Sequence, residues 1–213
     1  TNNCWRIKQY NLLYSKRRSN TEWFYTKSDI GIGNIGIFSD SGNIKNNGDI
    51  LIGDSKIVYT AGVVDSNLST YAVGIYGENS EIINYGDISL GAGAIGIYTK
   101  NNSVITQNYG NITGGTSSIP KTGVIGIIAN NGKGIENFGN ITLYGDGAIG
   151  IYSDEGIVQI YDGAKISVGK SLGNKQEGVA VYLAGNGQTL ISKTSDITIG
   201  DFWGLGNETD DNY

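Results

Sequence analysis

The chain has 213 residues and a formal net charge of −5, and it contains 34 Gly, 31 Ile, 10 Leu and a single Pro. This proportion of Gly and β-branched residues disfavours helices and favours strands, so a helical bundle is excluded, and collagen is excluded because Pro is scarce. The sequence contains no His, which excludes a Ser-His-Asp triad, a His general base and a His metal ligand.

The first 28 residues differ in composition from the rest of the chain. They have a net charge of +5, whereas residues 29–213 have a net charge of −10. We interpret residues 1–28 either as a cap over the end of a repeat array or as an out-of-frame segment, and the sequence leaves both open. The basic run at residues 16–18 is short and lies in an acidic protein, so no nucleic-acid partner is expected. Because the sequence starts at Thr1 without a recognisable signal peptide, we expect a fragment of a longer protein.

Two short motifs alternate through residues 29–200. The first has the order apolar, Gly, Ile, aromatic, and it begins at Ile35, Val73, Ile95, Ile125 and Ile149, with a weaker copy at Val179. The second has the order Asn, variable, Gly, Asp or Asn, Ile, and it begins at Asn46, Asn84, Asn108 and Asn137, with degenerate copies that end at Ile166 and Ile197. Successive Gly residues of the second motif are 38, 24, 29 and 24 residues apart. Internal repeats of this length indicate a solenoid.

The alternation of apolar and polar residues within each repeat has the period of a β-strand. We therefore predict an all-β parallel β-helix of about six coils, with about 24 residues per coil and with insertions, followed by an acidic tail over residues 201–213. The extra residues enter at one register, as three insertions at Lys56–Thr70, Gly114–Thr122 and Lys170–Glu177. Insertions at one register project from one side of a solenoid, where they are either recognition loops or tolerated bulges.

Stacked coils bring equivalent residues into rows along the axis. We predict that Asn46, Asn84, Asn108 and Asn137 form a hydrogen-bonded ladder, with the following Gly residues at positive φ. Asp49 and Asp87 are expected to stack with Asn111 and Asn140 as a second polar ladder, and neither a catalytic pair nor a calcium site is expected there. In the strand around Gly96, Ile95 and Ile97 are expected to share one face, opposite Ala94, Gly96 and Tyr98.

Five aromatic residues occupy equivalent outward positions of the first motif, interrupted by Ile128; they are Phe38, Tyr76, Tyr98, Tyr152 and Tyr182. An exposed aromatic row is a candidate binding strip for a glycan or a protein, and these five residues are the candidate binding residues of the sequence. A structural role, in which the rings stabilise neighbouring coils, is the favoured alternative. The sequence predicts no catalytic residues, no metal site and no cofactor.

The alternation of apolar-Gly-Ile-Tyr with Asn-Tyr/Phe-Gly-Asn/Asp-Ile over residues 29–200 resembles the passenger repeats of autotransporter (type V secretion) proteins, most closely those of fusobacterial surface proteins. The resemblance implies a right-handed parallel β-helix that is exported through a C-terminal β-barrel of the outer membrane, which this chain does not contain. It also implies a location at the bacterial cell surface or outer membrane, or in the secreted fraction, and a link to virulence.

These expectations together describe a non-enzymatic structural or adhesive segment that presents a rigid rod with one-sided loops. Its expected partners are receptors or glycans on host cells or on other bacteria. Two alternatives remain open at this point: a polysaccharide-active β-helix enzyme, and a fragment of a phage tail spike.

Overall fold

A computed structural model describes residues 5–7, 12–14 and 34–199, except residues 62, 66, 116–122, 146 and 170–177. The predicted tail at residues 201–213 lies outside the described residues, as do most of residues 1–28 and of the second and third insertions. In the described part, all regular elements are β-strands, numbered β1 to β22 in chain order.

Three sheets build the molecule, and each consists of strands that come from successive repeats. The first sheet contains β1 (Trp5–Ile7), β2 (Leu12–Tyr14), β3 (Ile35–Asp40), β8 (Val73–Glu78), β11 (Ile95–Lys100), β14 (Ile125–Asn130), β17 (Ile149–Ser153) and β20 (Val179–Leu183). The second sheet contains β4 (Asn43–Asn46), β9 (Glu81–Asn84), β12 (Thr106–Asn108), β15 (Gly134–Asn137), β18 (Ile157–Ile160) and β21 (Gln188–Ile191). The third sheet contains β5 (Ile50–Ile52), β10 (Ile88–Leu90), β13 (Ile112–Gly114), β16 (Ile141–Leu143), β19 (Lys165–Val168) and β22 (Asp196–Ile199).

Six coils follow from this strand order, because each repeat contributes one strand to every sheet. Coils 1 to 6 are β3–β5, β8–β10, β11–β13, β14–β16, β17–β19 and β20–β22, and all their neighbouring strands pair in parallel. The register is uninterrupted through the motifs, as in the pairing of Ile88 with both Ile50 and Ile112. The prediction of a parallel β-helix with six coils is confirmed, and its right-handedness stays a prediction of the resemblance.

The N-terminal strands lie at the edge of the first sheet, beside coil 1. β1 pairs with β2 in an antiparallel arrangement, and β2 contacts β3 through the pair Tyr14 and Phe38. A segment that caps a β-helix covers the exposed edge of its first coil, and β1 and β2 lie beside that edge. The choice between a cap and an out-of-frame segment stays open.

The core is a set of apolar columns that run along the axis. In the third sheet, Ile50, Ile88, Ile112, Ile141 and Ile166 pair in register, and at most 5% of each residue is exposed. Burying an Ile side chain contributes about 1.5–3 kcal/mol, so each coil that is added to the column extends the core by one further buried residue. The prediction that the Ile residues form inward columns is confirmed here.

The first sheet departs from the predicted alternation, and the predicted faces of its first-motif residues are wrong. Ala94 and Ile97 pack into the central cluster of buried apolar residues. Ile95 is also buried, but it does not belong to that cluster. A Cβ atom on Gly96 would lie 3.0 Å from the core atom Cγ2 of Ile112, so Gly96 also faces inward. The ladder pairs Ile95 with Ile125 and Ile97 with Ile127 but skips the Gly between them. A strand that is irregular at Gly explains why a strict period of two fails at this motif.

Apolar residues of coil 6 are exposed at positions where the equivalent residues of coil 5 are buried. Ile197 and Ile199 pair with the fully buried Ile166 and Val168, yet they are 39% and 53% exposed. In the described part of the chain, no strand pairs with the outer edges of β20, β21 and β22.

Candidate functional site

The predicted Asn ladder is present at the corner between the second and third sheets. The Nδ2 atoms of Asn46, Asn84 and Asn108 donate to the Oδ1 atom of the Asn in the next coil, at 2.7, 2.8 and 2.8 Å. Each of the four Asn side chains also donates to the carbonyl of the Gly two residues later, at 2.7 to 2.8 Å. Since at most 5% of each Asn is exposed, these bonds satisfy amides that water does not reach.

The Gly residues of this corner have a different role from the predicted one. Positive φ was expected at Gly48, Gly86, Gly110 and Gly139, and none of the four has it. Instead, a Cβ atom on Gly110 would lie 1.9 Å from the carbonyl oxygen of Gly86, and one on Gly139 would lie 2.0 Å from that of Gly110. The glycines are therefore required because the backbones of successive coils approach too closely for any side chain.

A second polar ladder follows the first, on the exposed side of the same corner. The Oδ1 atoms of Asp49, Asp87, Asn111 and Asn140 accept the backbone N–H of the equivalent residue in the next coil, at 3.1, 2.8, 3.1 and 3.0 Å. Asp and Asn both supply this oxygen, which explains why the sequence alternates between them. The predicted second ladder is confirmed, and its carboxylates bond along the axis.

The five candidate binding residues lie where the sequence places them, in one row on the outside of the first sheet. Their strands pair Phe38 with Tyr76, Tyr76 with Tyr98, and Tyr152 with Tyr182. The ring centroids of these pairs are 5.3, 5.1 and 5.3 Å apart, with interplanar angles of 10°, 47° and 8°. Ile128 lies between Tyr98 and Tyr152 in the register, so the structure brings the five residues together as two groups.

Stacking within this row limits what its rings can bind. A sugar that stacks on an aromatic ring needs a free ring face, and in the stacked pairs Phe38–Tyr76 and Tyr152–Tyr182 each ring already covers one face of the other. Tyr182 is 47% exposed, whereas the other four residues of the row are half-buried. Burial raises the pKa of Tyr76 above its ordinary value, and the nearby Glu78 carboxylate raises it further. The binding role of the five residues stays a prediction.

A second aromatic row, which the sequence analysis missed, runs along the second motif. It consists of Tyr85, Tyr109, Phe138 and Tyr161, whose ring centroids are 4.8, 4.3 and 4.0 Å apart with interplanar angles of 8° to 15°. Its signal is visible in the sequence, because an aromatic residue follows the ladder Asn in three successive repeats. The rings stack more closely than those of the predicted row and without an interruption.

Polar side chains of the second sheet border this row. The Tyr161 hydroxyl donates to Glu136 Oε1 at 2.9 Å, and Gln107 Nε2 donates to Glu136 Oε2 at 2.7 Å. The hydrogen bond to the Glu136 carboxylate raises the pKa of Tyr161. At the other end, the Lys45 ammonium lies 5.4 Å from the Tyr85 ring centroid, within the range of a cation–π contact. Both ends of the row are therefore tied to charged groups.

The first insertion is an ordered hairpin rather than an irregular bulge. The backbones of Lys56 and Thr70 exchange two hydrogen bonds at its base, of 2.8 and 2.7 Å, and β6 (Tyr59–Thr60) pairs with β7 (Val63–Val64) further out. Near the point where the chain rejoins coil 2, the Ser55 hydroxyl donates to the Gly93 carbonyl and accepts the Ala72 N–H, at 2.7 and 2.9 Å.

Hydrogen bonds to the Asp65 side chain stabilise the hairpin from within, and apolar side chains are exposed on it. Asp65 accepts the backbone N–H of Asn67 at 3.0 Å and the hydroxyl of Thr60 at 2.9 Å. Val63 and Leu68 are 70% and 56% exposed, and Tyr71, directly after the hairpin, is 48% exposed. Apolar side chains that are held out from an ordered scaffold are suited to contact another surface.

Neither a metal cluster nor a membrane-spanning helix was found in the described ranges. Among those residues, no three His, Cys, Asp or Glu side chains are grouped so that they could hold a metal ion. In the same part of the chain, no helix is long and apolar enough to cross a membrane. Comparison with known proteins finds no matching family model, no matching curated protein and no matching solved structure.

Proposed function

We propose that this chain is a non-enzymatic structural and adhesive segment of a bacterial surface passenger of the autotransporter type. The stacked coils of the β-helix form the structural part of the segment. The hairpin at 56–70 provides a contact for a receptor or glycan on a host cell or another bacterium. The cell surface or the secreted fraction is the corresponding location. The resemblance of the repeats over residues 29–200 motivates the export route.

One observation carries the structural half of the proposal: the polar side chains of the repeat corners bond to neighbouring coils. Seven coil-to-coil bonds arise from the two ladders, three between Asn amides and four from side-chain oxygens to backbone N–H groups. Side chains used in this way stabilise the stack of coils. Stacking of each coil on its neighbour also suits export as an extended chain, because folding can proceed coil by coil.

The adhesive half is supported by the hairpin. Its apolar side chains Val63 and Leu68 are exposed, whereas its backbone is fixed by hydrogen bonds between Lys56 and Thr70. A fixed loop loses less conformational entropy on binding than a flexible one. The hairpin is therefore a better candidate for a contact than the aromatic rows, in which most neighbouring rings stack on one another.

Protease treatment of intact cells of the source bacterium tests the proposed location. An antibody against the chain should label intact cells, and the label should disappear after external protease while a cytoplasmic marker stays intact. Labelling that requires cell lysis and resists external protease would overturn the surface assignment. Release of unsaturated or reducing sugar ends by the purified chain from an acidic polysaccharide would overturn the non-enzymatic assignment.

A further inference from the structure

Three buried side-chain atoms have no hydrogen-bond partner in the described part of the chain, and all three belong to coil 3. They are Thr99 Oγ1, Asn102 Nδ2 and Thr106 Oγ1, on residues that are 1%, 3% and 0% exposed. A buried polar group without a hydrogen-bond partner destabilises the folded state, because it has lost its bonds to water. Three of them within eight consecutive residues indicate a shared partner.

The coil register places the three residues around one interior corner, between the first and second sheets. Thr99 pairs with Gly77 of coil 2, and Thr106 takes the position of Ile82, since Gln107 pairs with Ile83. In coil 2, a Cβ atom on Gly77 would lie 2.7 Å from Ile82 Cδ1 and 3.2 Å from Ser80 Cβ. Thr99 and Thr106 take the positions of Gly77 and Ile82, so their side chains face the same corner, and Asn102 adjoins it through its hydrogen bond to the Ser80 N–H.

Small residues above and below leave room at this corner. Thr99 lies between Gly77 and Ala129 in the sheet. The position of Thr106 is occupied by Ile or Val in coils 1, 2, 4 and 5 and by Thr189 in coil 6, whose hydroxyl donates to the Val158 carbonyl. In the described part of the chain, buried side-chain atoms at this corner lack a partner in coil 3 alone.

The chemistry of the three atoms determines what they bind. Asn102 Oδ1 accepts the Ser80 N–H at 2.9 Å, which fixes the amide orientation and leaves Nδ2 as a donor that needs an acceptor. The two Thr hydroxyls either donate or accept. A cation does not suit a site with an amide donor, and the buried polar residues that have been described are all Ser, Thr or Asn, with no charge to balance an anion. The partner must be neutral, small, and both donor and acceptor.

We propose that the corner of coil 3 binds one structural water molecule, which accepts from Asn102 Nδ2 and bonds to the hydroxyls of Thr99 and Thr106. Buried waters make about three hydrogen bonds each, usually to groups that have no protein partner. The site is independent of the proposed adhesive function. Within the buried part of this column of the second sheet, coil 3 is then the coil whose polar side chains are satisfied by water.

A crystal structure of the full chain, at a resolution that orders internal waters, tests the site directly. The expected result is one water with hydrogen bonds to Thr99 Oγ1, Asn102 Nδ2 and Thr106 Oγ1. An empty corner, or direct bonds among these three side chains without a water, would overturn the proposal.

Equilibrium unfolding of valine variants provides a second test that does not depend on crystals. T106V and T99V should each raise the unfolding equilibrium constant about fivefold or more, because the water and Asn102 lose a partner. In the double variant, the unfolding equilibrium constant should rise by less than the product of the two single increases, since both variants act through the same water. The control T113V changes an exposed Thr of the same coil and should have little effect. Independent effects at 99 and 106, or equal effects at 106 and 113, would contradict a shared water.

Discussion

The buried Asn ladder makes a sharp prediction for N108D, which changes one amide nitrogen to oxygen and preserves the shape of the side chain. Asn108 donates two hydrogen bonds, to Asn137 Oδ1 and to the Gly110 carbonyl, both at 2.8 Å. It accepts one, from Asn84 at 2.8 Å. A carboxylate retains the accepted bond but faces two acceptors that it cannot serve, so it must be protonated to stay in the ladder.

The size of the effect follows from these contacts. Protonating a carboxyl group with an unperturbed pKa near 3.9 costs about 1.36 kcal/mol per pH unit, or roughly 4 kcal/mol at pH 7. The protonated group donates one bond, so one acceptor stays unpaired at a cost of about 1–3 kcal/mol. We therefore expect N108D to lower the free energy of unfolding by about 5–7 kcal/mol at pH 7 and by about 1–3 kcal/mol at pH 4.

The sign of the pH dependence is fixed by the direction of the pKa shift. Burial next to two acceptors raises the pKa of the introduced carboxyl in the folded state above its value in the unfolded state. The variant therefore has its greatest stability, relative to the original chain, below about pH 4, and it loses that stability as the pH rises.

Urea denaturation of N108D and the original chain at pH 4 and pH 7, followed by circular dichroism, measures the difference. N140D is the matched control, because Asn140 is exposed and its oxygen still accepts the Lys165 N–H after the change. It should alter the free energy of unfolding by less than about 0.5 kcal/mol. Equal losses for the two variants at pH 7, or a loss at position 108 that does not shrink at pH 4, would refute the role of the buried ladder.

Three further predictions concern the glycines and the aromatic rows. G110A should lower the free energy of unfolding by about 2–4 kcal/mol, because its Cβ meets the Gly86 carbonyl. G163A has open space around its Cβ but a φ of 81°, so it should lower the free energy of unfolding by only about 1–2 kcal/mol. Equal melting temperatures for the two variants would contradict this difference. I128Y joins the two groups of the predicted row and should raise the free energy of unfolding by about 0.5–1.5 kcal/mol per new ring pair, as measured in urea; a lower midpoint would argue against stacking. Tyr161 has a raised pKa because of its hydrogen bond to Glu136, so the stability that it contributes is present below pH 10 and lost above it, and Y161F should weaken this alkaline loss in a thermal unfolding series.

Much of the fold follows from the sequence because a stacked coil repeats its contacts. The residues at Asn46, Asn84, Asn108 and Asn137 recur at spacings that only a common register explains, and the same register predicts the row from Phe38 to Tyr182. Both rows lie where the sequence indicates.

Other features depend on distances between coils, which the sequence does not contain. Gly in a polar turn ordinarily indicates positive φ. At Gly110, however, the reason for glycine is steric, because a Cβ atom would collide with the Gly86 carbonyl of the neighbouring coil. Period-two alternation similarly fails at Gly96, where the strand is irregular and two successive residues face the core. The aromatic row from Tyr85 to Tyr161 is harder to predict, because its position in the second motif is Asn47 in the first repeat and Tyr161 belongs to a degenerate copy.

The most direct test of the account is a cell-binding measurement with the full chain and a chain in which residues 57–69 are replaced by a short Gly-Ser linker. Labelled protein is applied to host epithelial cells and to partner bacteria, and bound protein is measured by flow cytometry. The matched control carries Y182A, which removes an exposed ring of the predicted aromatic row and leaves the hairpin intact. The account predicts saturable binding that the hairpin replacement abolishes and Y182A preserves, with unchanged circular dichroism for all three. Absence of saturable binding by the original chain, or binding that survives replacement of the hairpin, would contradict it.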